Sequence, residues 1–262
     1  MPPTLGKRKL PYLSDAHSHL TDPEYSEVLP QVVSYIRARD ILIVCVSMDT
    51  KTSIKTLELS TQLKDQVLPF VGIHPWNAST ESANNSLAKL EPLAAKSKGV
   101  GEIGLDRKYA KAEDQYEAQR RVFAATLEIA EKALKPISVH SRGSQDDVIS
   151  ILPSYRLKGV NLHWFSGTLE QLRKAVQMGC FFSFGPTIVY SKKTKELLRN
   201  TPPDLLLTET DGPVRYGACF GNKIALPSFL PSVLFALSHE LKMRFDDCLD
   251  LVETNFRRYI QV

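Results

Sequence analysis

The chain has 262 residues, with 33 lysines and arginines against 29 aspartates and glutamates, a net charge of +4 and a pI near 8.8. That balance is far short of the polybasic signature of a protein that holds duplex DNA by counterion release, and a chain of this length can bury one large core. Met1 to Lys9 are polar, proline-bearing and basic, with no apolar stretch for a signal peptide or a membrane span. The four cysteines, Cys45, Cys180, Cys219 and Cys248, lie far apart without a CxxC pair, as suits free thiols in a reducing compartment. A single domain over residues 1–262, cytoplasmic, with no membrane and no obligate protein partner, is the expectation.

Strand-like apolar runs occur around Leu13 and over residues 41–48, 68–73, 100–105, 137–140, 160–163, 181–184 and 205–208. Helical patterns separate them. The clearest covers residues 114–134, where Phe123, Leu127, Ala130 and Leu134 recur at helical spacing and Pro136 marks the end; another covers 168–178 and stops at Gly179. Strands alternating with helices through the whole chain predict a parallel sheet, and eight of them close a (β/α)8 TIM barrel more naturally than they build an open sheet. Such a barrel carries its active residues at the carboxyl ends of the strands. Five of the six histidines (His17, His19, His74, His140 and His163) stand where an apolar run gives way to a turn, and Glu102 and Asp211 end similar runs.

In Asp15-Ala16-His17-Ser18-His19 the two imidazoles are two residues apart, so on a strand they point the same way and suit one cation. Glu102, inside Gly101-Glu102-Ile103-Gly104-Leu105-Asp106, is an acid in an otherwise apolar strand, which costs several kcal/mol unless it is paired or metal-bound. Its two oxygens allow it to bridge two ions. Residues 99–104 also match the dinucleotide fingerprint GxGxxG, but the match lies inside the strand and the next helix begins about ten residues later, so that reading fails on context. His140 and Arg142 alternate at the end of the fifth run; Arg142 suits a phosphate oxygen, or else a salt bridge between loops. His163 and Asp211, each ordinary alone, complete two coordination shells when taken with the others.

These motifs, with Gly72-Ile73-His74-Pro75, His140-Ser141-Arg142, His163-Trp164-Phe165-Ser166-Gly167, Glu209-Thr210-Asp211-Gly212-Pro213 and Asn255-Phe256, resemble the TatD-type metal-dependent deoxyribonucleases of the amidohydrolase superfamily across nearly the whole chain. The resemblance implies that His17, His19 and Asp211 hold one metal, that His140 and His163 hold the other, and that Glu102 bridges them. It further implies that His74 contacts substrate and that Mg or Mn is the metal in use; the mixed donor set also tolerates Zn. The expected reaction is hydrolysis of a phosphodiester, with single-stranded DNA the expected nucleic-acid substrate, Asp211 taking the proton of the attacking water, and His74 and Arg142 orienting the phosphate.

Two departures stand out: Trp164 where a cysteine is common, and Arg107-Lys108 where aromatic residues often stand. Trp76, in a loop after Pro75, is a candidate base-stacking residue; Trp164, if still in its strand, points away from the barrel interior and packs in the core. Two other functions stay open from sequence. One is an amidohydrolase acting on a small amide, lactone or phosphoester, and the other is a metal-stabilised interaction platform without catalysis.

Overall fold

A computed structural model describes residues 13–78 and 83–261. The basic stretch through Lys9 lies outside the described residues. Eight strands follow one another round a single sheet: β1 Leu13–Ser18, β2 Ile41–Cys45, β3 Val67–Val71, β4 Gly99–Gly104, β5 Ile137–His140, β6 Val160–His163, β7 Phe181–Phe184 and β8 Leu206–Thr208. Each pairs in parallel with the next. Between and after them run α1 Leu29–Arg39, α2 Thr50–Gln62, α3 Ala83–Lys96, α4 Glu113–Ala133, α5 Gln145–Ile151, α6 Leu169–Gln177, α7 Lys192–Arg199, α8 Leu230–Leu241 and α9 Phe245–Ile260. The predicted (β/α)8 barrel is the observed one, and each strand-like run of the sequence overlaps a strand.

Strands covered on both faces read as continuous apolar runs because neither side meets water. Every residue of β2, Ile41-Leu-Ile-Val-Cys45, is buried, and so is all of β4. The glycines of β4 serve packing, which explains the false dinucleotide fingerprint. A Cβ on Gly99 would stand 2.3 Å from the Phe70 ring, and one on Gly104, whose φ is +140°, would stand 2.0 Å from the His140 carbonyl oxygen. Helix α4 falls within a residue of the predicted span and ends on Leu134 in the left-handed conformation (φ +53°), two residues before Pro136. Helix α6 begins on a capping box formed by Thr168 and Gln171, so the loop bearing Ser166 and Gly167 enters it at a fixed angle.

β1 and β8 close the ring mainly through side chains. Thr208 Oγ1 donates to the Ser14 carbonyl at 2.6 Å, and the buried Asp15 carboxyl accepts from Thr210 N–H at 3.0 Å and Thr210 Oγ1 at 2.6 Å. Asp15 Oδ1 also accepts from His17 N–H at 3.2 Å, and Asp211 N–H donates to the His17 carbonyl at 2.9 Å. The seam therefore fixes two segments that carry site residues. Past β8, a short antiparallel hairpin, β9 Arg215–Tyr216 with β10 Lys223–Ile224, rises at the same end of the barrel. No helix among the described residues is long and apolar enough to cross a membrane.

Replacing Asp15 with alanine leaves three donors at a fully buried position without their acceptor. A loss of about 2–4 kcal/mol of unfolding free energy is expected, read from the urea midpoint at unchanged slope.

Candidate metal centre and cleft

Six side chains from five strand ends gather around one carboxylate. Glu102 is 1% exposed, and its two oxygens face different partners. Oε2 lies 3.3 Å from His17 Nε2 and 3.1 Å from His19 Nε2, and Asp211 Oδ1 lies 3.6 and 3.7 Å from the same two nitrogens. Oε1 lies 2.8 Å from His140 Nδ1, 2.8 Å from His163 Nε2 and 3.2 Å from His74 Nε2. One carboxylate thus divides five imidazoles into two groups. Three overlapping trios, His17–His19–Glu102, His17–His163–Asp211 and His74–Glu102–His140, each bring their donor atoms within 4.8 Å of one another.

Imidazoles donate through whichever nitrogen lacks the proton, so the other nitrogen's partner decides what each can do. His17 Nδ1 meets Ser138 Oγ at 2.8 Å; with the proton on that side, Nε2 is a lone pair aimed at the oxygens of Glu102 and Asp211. In that tautomer buried acceptors face one another and repel unless a cation lies among them, so the donor set fits a divalent ion. His74 is different. Its Nδ1 accepts the Trp76 N–H at 3.2 Å, which places the ring proton on Nε2, pointing at Glu102 Oε1. Burial, outweighing the pull of Glu102, holds His74 down at about 4, so it stays neutral and acts as an N–H donor.

Glu102 is penalised by burial, yet the surrounding His74, His163 and His17 hold it well below the usual carboxylate range. His140 lies between two carboxylates, with Nδ1 on Glu102 and Nε2 3.0 Å from Asp106 Oδ2. Burial disfavours its charge, but Asp106 and Glu102 prevail and raise it to about 9. Asp106 is also held by Trp76 Nε1–H at 2.9 Å and Tyr109 N–H at 2.9 Å; burial raises it, yet these bonds bring it to about 2. Asp211 is raised to about 6 by burial, against the pull of His163 and His19.

The centre forms the floor of a cleft of about 780 Å3. Arg142 lies in the turn beyond β5, outside the strand, and is exposed on the cleft wall with no ion-pair partner among the described residues. The loop-bridging alternative is therefore not the one observed. Trp76 also lines the cleft, 38% exposed and stacked on Tyr109 at 5.2 Å. Core packing of Trp164 is overturned: β6 ends at His163, and Trp164 follows with φ +39° and stands 36% exposed on the cleft.

Sequence reasoning assigned no role to four buried groups that stand behind the site residues. Ser138 backs His17, Asp106 backs His140, Asp15 locks the seam, and Glu209 lies 3.8 Å from His163 Nδ1 through Oε2. Glu209 ends an apolar run as Glu102 interrupts one, and that shared signal was available to find it.

The sequence profile of the family described as TatD related DNase matches residues 14–261. The chain is 29% identical over 257 residues to the uncharacterized metal-dependent hydrolase YabD of Bacillus subtilis, covering 95% of this chain and 99% of that one. It is 28% identical over 213 residues to the human deoxyribonuclease TATDN3, covering 77% and 78%. The crystal structure of YJJV, a TatD homologue from Escherichia coli K12, superposes with a TM-score of 0.86 at 25% identity over 95% of this chain and 98% of that one.

Because His140 keeps its proton up to about pH 9 without metal, loading its nitrogen must release that proton. Titrating Mn2+ into metal-free protein at pH 7.5 in buffers of different ionisation enthalpy should show proton release, and apparent affinity should rise between about pH 6.5 and 9. The sign for stability is opposite: a raised histidine stabilises the metal-free fold fully below about 6.5, and the contribution is lost as pH rises through about 9. Thermal melts of the metal-free protein across that window give the check.

Proposed function

The chain belongs to the TatD related DNase family of metal-dependent hydrolases, and from that premise we propose that it cleaves phosphodiester bonds of single-stranded DNA at a two-metal centre. The observation that carries this reading is the division of the donors by Glu102. His17, His19 and Asp211 gather at Oε2, and His140 and His163 gather at Oε1. In this reading His17, His19 and Asp211 would hold one divalent ion and His140 and His163 another, with Glu102 a ligand common to both, and Mg or Mn would be the metal in use, with Zn tolerated. When bound, such ions acidify a water and neutralise charge growing on the phosphate.

The protein's own groups do the rest. Asp211, 5% exposed on the floor of the cleft, is the carboxylate placed to take a proton from the attacking water. His74, fixed by the Trp76 amide, lines the cleft with its neutral Nε2–H aimed at Glu102 Oε1, where a phosphate oxygen beside the centre would compete for that donor. Arg142 supplies a guanidinium on the wall, matched to a phosphate by its planar fork. Trp76, braced by Asp106 and Tyr109, supplies an aromatic face on which a base can stack.

Glu102→Gln and Asp211→Asn should each lower kcat on a 5′-labelled single-stranded oligonucleotide with Mn2+ or Mg2+ by at least about 100-fold. Cleavage that survives both substitutions places the chemistry elsewhere. Turnover of small esters or amides with DNA untouched replaces the nuclease reading by a small-molecule hydrolase, and inactivity throughout favours a platform. Arg142→Ala should raise KM by about tenfold with a smaller change in kcat, the loss of one charge-assisted contact.

A further inference from the structure

Trp164 is a large apolar side chain that the fold leaves open. Its amide N–H is taken at 3.1 Å by the buried Oε1 of Glu209, and its backbone turns left-handed at φ +39°. The indole thereby faces the cleft, while the next residue, Phe165, is buried and packs edge-on against Phe182. Tyr216, 2% exposed, supports the indole from the β9–β10 hairpin with ring centroids 5.5 Å apart. The hairpin is itself pinned by Arg215, which pairs with Glu24 at 2.9 Å. A second braced indole, Trp76 on Tyr109, stands after β3, three strands away round the ring. Two aromatic walls therefore flank the Glu102 centre.

We propose that Trp164, supported by Tyr216, is a substrate-positioning platform that stacks a nucleobase on the opposite side of the scissile phosphate from the base at Trp76. The inference rests on the phosphodiesterase reading above. Every base has a π-face, so such a platform is tolerant of sequence. It is not tolerant of form. Successive bases along a strand of duplex lie about 3.4 Å apart, whereas the two walls stand on either side of a metal centre. The bases adjoining the scissile phosphate must therefore splay apart, which a flexible single strand allows and a stacked, paired duplex resists.

The test is equilibrium binding of a fluorescein-labelled oligothymidylate to the metal-stripped full chain, read by anisotropy, with Mn2+-dependent cleavage of the same oligonucleotide run alongside. Trp164→Ala should weaken binding about 5- to 150-fold, the equivalent of ~1–3 kcal/mol for one stacked base, and Trp164→Phe should recover most of it. Removing single bases along the oligonucleotide should identify one abasic position that weakens wild-type binding but costs Trp164→Ala nothing further. Duplex DNA should bind more weakly than the single strand, and by a smaller margin in Trp164→Ala. If the wild type cleaves the oligonucleotide and Trp164→Ala binds it within twofold of wild type, the platform is overturned and the nuclease reading stands. The platform is equally overturned if Trp164→Ala loses the same factor on every abasic oligonucleotide. If the wild type neither binds nor cleaves single-stranded DNA, both fall together.

Discussion

Everything at the mouth of this barrel depends on one buried carboxylate. Glu102, 1% exposed within a strand that is otherwise glycine and apolar residues, is a charge that the protein interior would expel on its own. Five imidazoles on its two oxygens keep it ionised, and in turn it keeps them close together at distances of 2.8–3.3 Å. Such an arrangement suits cations better than it suits the bare protein. Protons carry part of that positive charge when no ion is bound, as at His140.

Behind the imidazoles stands a further layer of acids whose charge states differ. Asp106, facing His140 and the Trp76 indole N–H, is stabilised as an anion and makes a charged pair across the ring. Glu209 has no such cation in contact; burial and the charge of Asp211 push it well above the usual carboxylate range, so it retains its proton while serving as an acceptor for Trp164 N–H and Ser183 O–H. The two buried acids beside the imidazoles thus differ in the charge they bring to the centre. Glu209 also joins the metal side to the substrate side, because the group near His163 is the one that turns Trp164 toward the cleft.

The barrel was legible because strands buried on both faces leave long apolar runs, and a histidine or acid that ends such a run is conspicuous. His17, His19, Glu102, His140, His163 and Asp211 were found in this way and the structure brings them together. What was not legible depends on groups distant in sequence. The donor character of His74 follows from the Trp76 amide folding back onto Nδ1, and no pattern of residue types encodes that. The outward turn of Trp164 follows from a left-handed backbone held by Glu209, 45 residues away, so assuming that the strand continued put the indole in the core. Asp15 was visible beside His17, but its bond to Thr210 becomes apparent only when the ring is closed.

That bond joins positions 195 residues apart, and it ties the first strand of the barrel to the segment that follows the last. The His17–His19 pair is synthesised before its carboxylate partner Asp211, which follows the last strand of the barrel. A growing polypeptide therefore reaches seven strands without a complete donor set, and a truncation before β8 removes both Asp211 and the partners of Asp15. The donor set is therefore complete only once the ring shuts, so a chain that stops before β8 has a barrel mouth without its Asp211 carboxylate.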